Sequence, residues 1–254
     1  MTSPEQATPS ASRLLAPNPS PMTLDGTNTW ILRDPDQPEC VVVDPGPLDD
    51  GHLDRIVAAG PVALIVLTHS HLDHAEAAPR LAALTGAPVV ARDSAWCRNA
   101  PVLGPGRYEA AGGVEWLTIL TPGHSSDSVC LLLGRDRALL TGDTILGRGT
   151  TVVAHPDGRL ADYLDSLQRL RDLAETDIET LLPGHGPVIE NPLAVLDFYL
   201  AHRQERLDQV RAAVAAGDTT AKAVVRRVYA DVDPALWPAA ELSVQAQLDY
   251  LAAI

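Results

Sequence analysis

The chain has 254 residues, 46% of them apolar and only 4% aromatic, and 33 Asp and Glu against 19 Lys and Arg give a formal net charge of −14. That length buries a sizeable core and allows one large domain with a small appendage. The charge excludes a basic nucleic-acid scaffold, because the average field of the molecule repels polyanions.

Residues 1–16 are rich in Ser and Pro and lack a basic start followed by an apolar run, so a disordered leader is expected there and not a signal peptide. Further along, short β-rich runs alternate with helical stretches, the signature of a layered α/β architecture. Strands are expected at 27–33, 40–44, 62–67, 114–120, 128–133 and 138–140, and amphipathic helices at 48–59, 73–84 and 160–173. From Asn191 onward the pattern is helical only, with a long segment through Ala215, a second at 219–229 and a third from Pro234 onward. A boundary near residue 190 therefore separates an α/β domain at 17–190 from a helical domain at 191–254. No run approaches the roughly 20 apolar residues of a membrane helix. Cys40, Cys97 and Cys130 are odd in number and widely spaced, which indicates neither a disulfide framework nor a thiolate metal site and suits a cytoplasmic protein.

The chemistry is concentrated where strands end. Asp44-Pro-Gly, Thr68-His-Ser-His, Thr121-Pro-Gly-His, Thr141-Gly-Asp and Pro183-Gly-His each close a buried-looking strand. In α/β proteins such loops converge at one edge of the sheet. The densest signal is His69-Ser70-His71-Leu72-Asp73-His74, which follows an apolar strand and opens a helix. Its three imidazoles and one carboxylate titrate against or repel one another unless a divalent cation turns them into a ligand set. Adjacent residues cannot surround two ions, so further ligands must come from other loops. His124, Asp143 and His185 each follow a Gly just after a strand, where the backbone can turn sharply. His52 and His202 fall on helical stretches and read as surface or capping residues, and His155 as an exposed loop residue near the site.

Taken in order, these motifs resemble the metallo-β-lactamase-fold superfamily of hydrolases, which includes glyoxalase II. The finer strings Leu24-Asp-Gly-Thr-Asn-Thr-Trp, Ile145-Leu-Gly-Arg-Gly-Thr and Leu182-Pro-Gly-His-Gly-Pro-Val-Ile are more similar to its β-lactamase-like protein 2 branch. The resemblance implies a four-layer αβ/βα sandwich with a small C-terminal helical, winged-helix-like segment. It also implies two zinc ions at one edge, with iron or manganese as alternative metals. Carried over by motif, His69, His71 and His124 hold the first ion, Asp73, His74 and His185 the second, and Asp143 bridges both. Asp44 matches a position beside the site that orients a ligand or water, and Asp73 and Asp44 are the expected catalytic carboxylates.

Two ions about 3.5–4 Å apart share a bridging water and lower its pKa from about 15.7 toward about 7. The expected activity is therefore hydrolysis of an ester, thioester or lactam-type bond of a small molecule by a metal-bridging hydroxide. A metal-dependent endoribonuclease acting on single-stranded RNA is the alternative, favoured by the branch resemblance and opposed by the charge. A non-haem iron dioxygenase ranks lower, since two His and one carboxylate suffice for that chemistry. The expected partner is a small-molecule substrate, with no membrane, RNA disfavoured by charge, and a homo-oligomer allowed.

Overall fold

The computed structural model describes residues 3–110 and 112–253. One sheet runs in the order β1 (Glu5–Gln6), β2 (Ala11–Leu15), β3 (Asn28–Leu32), β4 (Cys40–Val43), β5 (Val62–Val66) and β6 (Val89–Val90). The other runs β11 (Thr180–Pro183), β10 (Ala138–Gly142), β9 (Val129–Leu133), β8 (Glu115–Leu120) and β7 (Gly106–Glu109). The helices are α1 (Asp50–Ala58), α2 (Leu72–Ala75), α3 (Ala78–Thr85), α4 (Leu160–Ala174), α5 (Pro192–Ala215), α6 (Ala221–Val228) and α7 (Trp237–Ala253).

Side chains alternate across a strand, and here both faces of the central strands are apolar, so each sheet must be covered on both sides. Trp30, Leu32, Val41 and Val43 of the first sheet meet Trp116, Leu131, Leu133 and Leu140 of the second, forming the inner core. The intervening residues Ile31, Val42 and Ile65 face outward onto Leu53 and Ile56 of α1 and Leu81 of α3. On the opposite outer face Cys130, Leu132 and Leu139 pack on Tyr163, Leu167 and Leu170 of α4. The result is the four-layer αβ/βα sandwich with a C-terminal helical segment. β4–β5 and β10–β11 pair in parallel, their connections running through α1 and α4, and the ends of these strands form one edge of the sandwich.

The tail is tied to this body. Leu196, Tyr199 and Leu207 of α5 share a core with α4, burial that stabilises by about 1.5–3 kcal/mol per side chain. Val210 and Ala213 at the end of α5 join Val224, Val225 and Val244 of α6 and α7 in a separate cluster. No helix among the described residues is long and apolar enough to cross a membrane.

Three expectations need correction. The 1–16 leader is no disordered arm in its described part. Ala11 and Leu14 are buried, and β2 pairs antiparallel with β3 from Ala11 opposite Leu32 to Leu15 opposite Asn28. Its low hydrophobicity is offset by edge pairing and by Asp136, which accepts from the Ser10 amide at 2.9 Å and its hydroxyl at 2.7 Å. Met1 and Thr2 of that stretch lie outside the described residues. The helix expected at 73–84 is two helices, because the Ala77 amide donates to the Gly46 carbonyl at 3.0 Å and Pro79 has no amide to donate. His52 is neither on the surface nor a side-chain cap, since it is fully buried beneath α1.

Candidate metal centre

The donors of the site stand beyond strand ends, on connections or on the short helix α2. His69 and His71 follow β5, Asp73 and His74 lie on α2, His124 follows β8, Asp143 follows β10 and His185 follows β11. The glycines before them are needed for close approach. A Cβ at Gly184 falls 2.7 Å from Asp143 Oδ1 and 2.7 Å from His74 Cε1, and one at Gly142 falls 2.6 Å from Thr68 Oγ1.

The structure brings all seven expected donors together in two groups, His69, His71 and His124 in one and Asp73, His74, Asp143 and His185 in the other. Within each group the potential ligand atoms lie within 4.8 Å of one another. His71 Nδ1 sits 3.1 Å from His69 Nε2 and 3.0 Å from His124 Nε2, and His74 Nε2 sits 3.2 Å from His185 Nε2. Donors around a tetrahedral ion with bonds of about 2.0–2.1 Å stand about 3.3 Å apart, close to these spacings. Asp143 reaches both groups, with Oδ1 3.4 Å from His74 Nε2 and Oδ2 3.8 Å from His124 Nε2 and 3.4 Å from His185 Nε2. Asp73 Oδ2 lies 3.1 Å from His185 Nε2.

The outer shell fixes which nitrogen each ring turns inward. His124 Nδ1 pairs with the Val152 carbonyl at 2.7 Å, His185 Nδ1 with the Gly26 carbonyl at 3.1 Å, and His74 Nδ1 with Asp44 Oδ2 at 2.9 Å. Thr68 Oγ1 donates to Asp44 Oδ2 at 2.7 Å, which leaves its oxygen to accept from His69 Nδ1 at 3.1 Å. Four imidazoles thus spend Nδ1–H outward and keep the Nε2 lone pair for the centre, the arrangement that metal-ligating histidines adopt. Asp44 is the hub. It is buried with φ +52, a conformation uncommon outside Gly, and its Oδ1 also accepts the Thr68 amide at 2.8 Å. Sequence reasoning gave Thr68, Gly26 and Val152 no role; for Thr68 the signal was its place directly before His69, while the two carbonyls leave no trace in residue type.

The charges are those of a site built for a cation. Burial opposes charge on His74, but Asp143 and Asp44 outweigh it and hold the imidazole well above its ordinary range. Burial likewise opposes charge on His185, yet Asp143 and Asp73 raise it to about 9. Asp143 is destabilised by burial and held well below the usual carboxylate range by His74 and His185. His69 goes the other way, pushed well below its ordinary value by burial and by His74. Asp143 Oδ1 is buried with no hydrogen-bond partner among the described residues, a condition that a bound cation relieves. The donors therefore fit divalent metal, His71 and the one-third-exposed Asp73 forming the open side. His155 lies apart from this centre, its Nδ1 2.9 Å from Asp249 Oδ2 on α7, and His202 lies on α5.

Comparison with known proteins agrees with this geometry. Residues 22–185 match the Metallo-beta-lactamase superfamily and residues 220–253 the Beta-lactamase associated winged helix domain. The chain is 33% identical to a beta-lactamase-like protein 2 homolog of Caenorhabditis elegans over 89% of its own length and 79% of that protein. It is 32% identical to an atrochrysone carboxyl ACP thioesterase of Aspergillus fumigatus, over 80% of this chain and 64% of that one. A metallo-beta-lactamase family protein from Thermus thermophilus superposes with a TM-score of 0.80 at 23% identity, covering 96% of this chain and 94% of that one. Donor set, sandwich and winged-helix tail converge on one conclusion: the chain belongs to the metallo-beta-lactamase superfamily of hydrolases.

Proposed function

We propose that the chain is a dinuclear zinc hydrolase of small-molecule acyl thioesters, with activated esters as poorer substrates. The observation that carries the reading is the position of Asp143, whose carboxylate lies within 4 Å of donors of both groups, His124 in one and His74 and His185 in the other, and would suit it to serve a pair of ions. His69, His71 and His124 would hold one ion, Asp73, His74 and His185 the other, and the imidazole-rich set suits zinc. Bound there, such ions acidify water and polarise a carbonyl, the chemistry that acyl hydrolysis needs.

The chain's own residues supply orientation. Asp44 and Thr68 lock His74 and His69 in single tautomers, so neither ring must reorganise during turnover. Asp73 is the least buried carboxylate of the centre and the one positioned to meet a proton released on the open side. A thioester is favoured because one matched relative is named as an ACP thioesterase and because the charge of −14 disfavours polyanionic substrates.

The test is to assay zinc-loaded protein on acetyl thioesters and on single-stranded RNA in parallel, with Asp143→Asn as control. Thioester turnover that falls by at least about 10³-fold in the variant supports the reading, a loss of the size expected when a metal's position is disturbed. Efficient RNA cleavage without thioester turnover would replace it with an endoribonuclease.

A further inference from the structure

The buried stripe of α5 includes Leu196, Tyr199, Arg203, Leu207 and Val210, spaced three or four residues apart as one helix face requires. Four of them pack in the cores shared with α4 or with α6 and α7. The fifth carries a guanidinium. Arg203 is only 6% exposed, no carboxylate lies within 4.0 Å of it among the described residues, and its Nε has no acceptor there. A buried cation without an anion is costly, and a Met of similar volume would fill the place without that cost. Packing alone therefore does not account for Arg203. Its Cζ lies 5.0 Å from the centre of the Tyr163 ring, and its Nη2 donates to the Thr151 carbonyl.

Thr151 belongs to the segment that leaves the metal centre. Between Asp143, just beyond β10, and Leu160, where α4 begins, the chain forms neither helix nor strand, so no ladder of backbone hydrogen bonds fixes its path. Side chains of α4 and α5 pin it instead. Tyr163 Oη donates to the Thr144 carbonyl at 2.7 Å, Tyr199 Oη accepts the Leu146 amide at 2.9 Å, and Arg203 holds the Thr151 carbonyl. The third pin acts on residues that themselves touch donors. Thr151 Oγ1 donates to the Asp143 carbonyl at 2.6 Å, and the same oxygen lies 3.4 Å from His124 Nδ1. That Nδ1 donates to the next carbonyl along the chain, Val152, at 2.7 Å. The Thr151–Val152 peptide, whose oxygen Arg203 grips, thus joins the two groups that meet the Nδ1 edge of His124.

We propose that Arg203 is a positioning residue of the metal centre. By holding the Thr151 carbonyl from the helical tail, it sets the Val152 carbonyl against His124 Nδ1 and so aims His124 Nε2 at the ion shared with His69 and His71. The inference rests on the first donor group as a metal site, whichever bond the enzyme hydrolyses. It makes α5 part of the centre as well as part of the core. His185 supplies an internal comparison, because its Nδ1 pairs with the Gly26 carbonyl, which belongs to the connection between β2 and β3.

The test follows two readouts in wild type, Arg203→Met and Leu207→Ala, the last loosening the same face of α5 without touching the Thr151 carbonyl. In metal-free protein labelled with nitrogen-15 histidine, NMR reads the solvent exchange of the His124 and His185 Nδ1 protons. Arg203→Met is expected to speed exchange of the His124 proton about tenfold and to leave that of His185 unchanged. In cobalt titrations against a chelator, the same variant weakens the ion of the first donor group about tenfold, the lower end of what loss of an outer partner costs, and leaves the other ion as in wild type. Leu207→Ala lowers stability and moves both protons alike or neither. Arg203→Lys keeps the cation but not the planar fork, and it is expected to show the same selectivity at about threefold should Arg203→Met not fold. Equal changes at His124 and His185, or none at His124, overturn the positioning role. Wild-type protein that binds no cobalt removes the metal reading, and the two proton signals still decide whether Arg203 orients His124.

Discussion

Oδ2 of Asp44 lies 2.9 Å from Nδ1 of His74, with His74 fully enclosed and Asp44 1% exposed. The same carboxylate accepts the Thr68 amide and hydroxyl, and through that hydroxyl it orients His69. One buried acid therefore serves both donor groups without belonging to either, and it meets three donors with two oxygens. An amide in its place has only one acceptor atom, so Asp44→Asn leaves at least one donor facing an N–H. We expect metal affinity to fall about 10–100-fold and stability by about 1–3 kcal/mol. Chelator competition and urea unfolding measure the two, and unchanged affinity would remove Asp44 from the site.

Metal loading should release protons. In the metal-free chain Asp143 and Asp44 outweigh burial to keep His74 protonated, and Asp143 and Asp73 do so for His185, whose value stands near 9. Both Nε2 atoms must be bare to bind an ion, so filling this group at pH 7.5 releases protons, that of His185 among them, and its affinity weakens as pH falls below about 9. Calorimetry in buffers of different ionisation enthalpy counts them. A heat independent of buffer would contradict the assignment.

His52 carries a separate pH dependence. Thr29 Oγ1 donates to the Asp44 carbonyl and so accepts from His52 Nε2, while His52 Nδ1 accepts from Arg55, an arrangement open only to the neutral ring. Burial, then Arg55, depresses its value from 6.5 to about 4. The unfolded chain binds this proton and the folded chain does not, so the stabilisation is complete above pH 6.5 and lost as pH falls toward 4, by up to about 3 kcal/mol. Unfolding midpoints of His52→Gln should decline less over that window than those of the wild type. Parallel declines would mean that His52 titrates normally.

The centre was the most legible part of the sequence because its donors are chemically costly residues set beside glycines at strand ends. What could not be read was long-range pairing. β2 lies in a Ser- and Pro-rich stretch and exists because Arg13 and its neighbours find β3, and β6 has only two residues, too few for any periodicity. His52 was misread because helix faces were assigned from apolar residues alone, whereas an imidazole with both nitrogens satisfied buries as readily as a leucine. Tyr199 shows the same blindness, since its hydroxyl accepts the Leu146 amide at 2.9 Å across an interface between sandwich and tail.

Gly184→Ala separates the fold from the site. The new Cβ meets Asp143 Oδ1 and His74 Cε1, each at 2.7 Å, while Gly184 itself needs no unusual backbone angle. Displacing those two donors should remove at least about one ion per chain, whereas overpacking costs about 1–3 kcal/mol of stability. Elemental analysis beside a melting curve reads both, and a variant with full metal would show that the bridging carboxylate is not where the ions bind.

The measurement that bears most directly on the account is anomalous scattering at the zinc edge from crystals of the zinc-loaded protein. Two peaks about 3.5–4 Å apart are expected. One should lie among His69, His71 and His124 and the other among Asp73, His74 and His185, with Asp143 touching both. A single peak, or peaks that leave Asp143 unligated, would contradict the dinuclear centre.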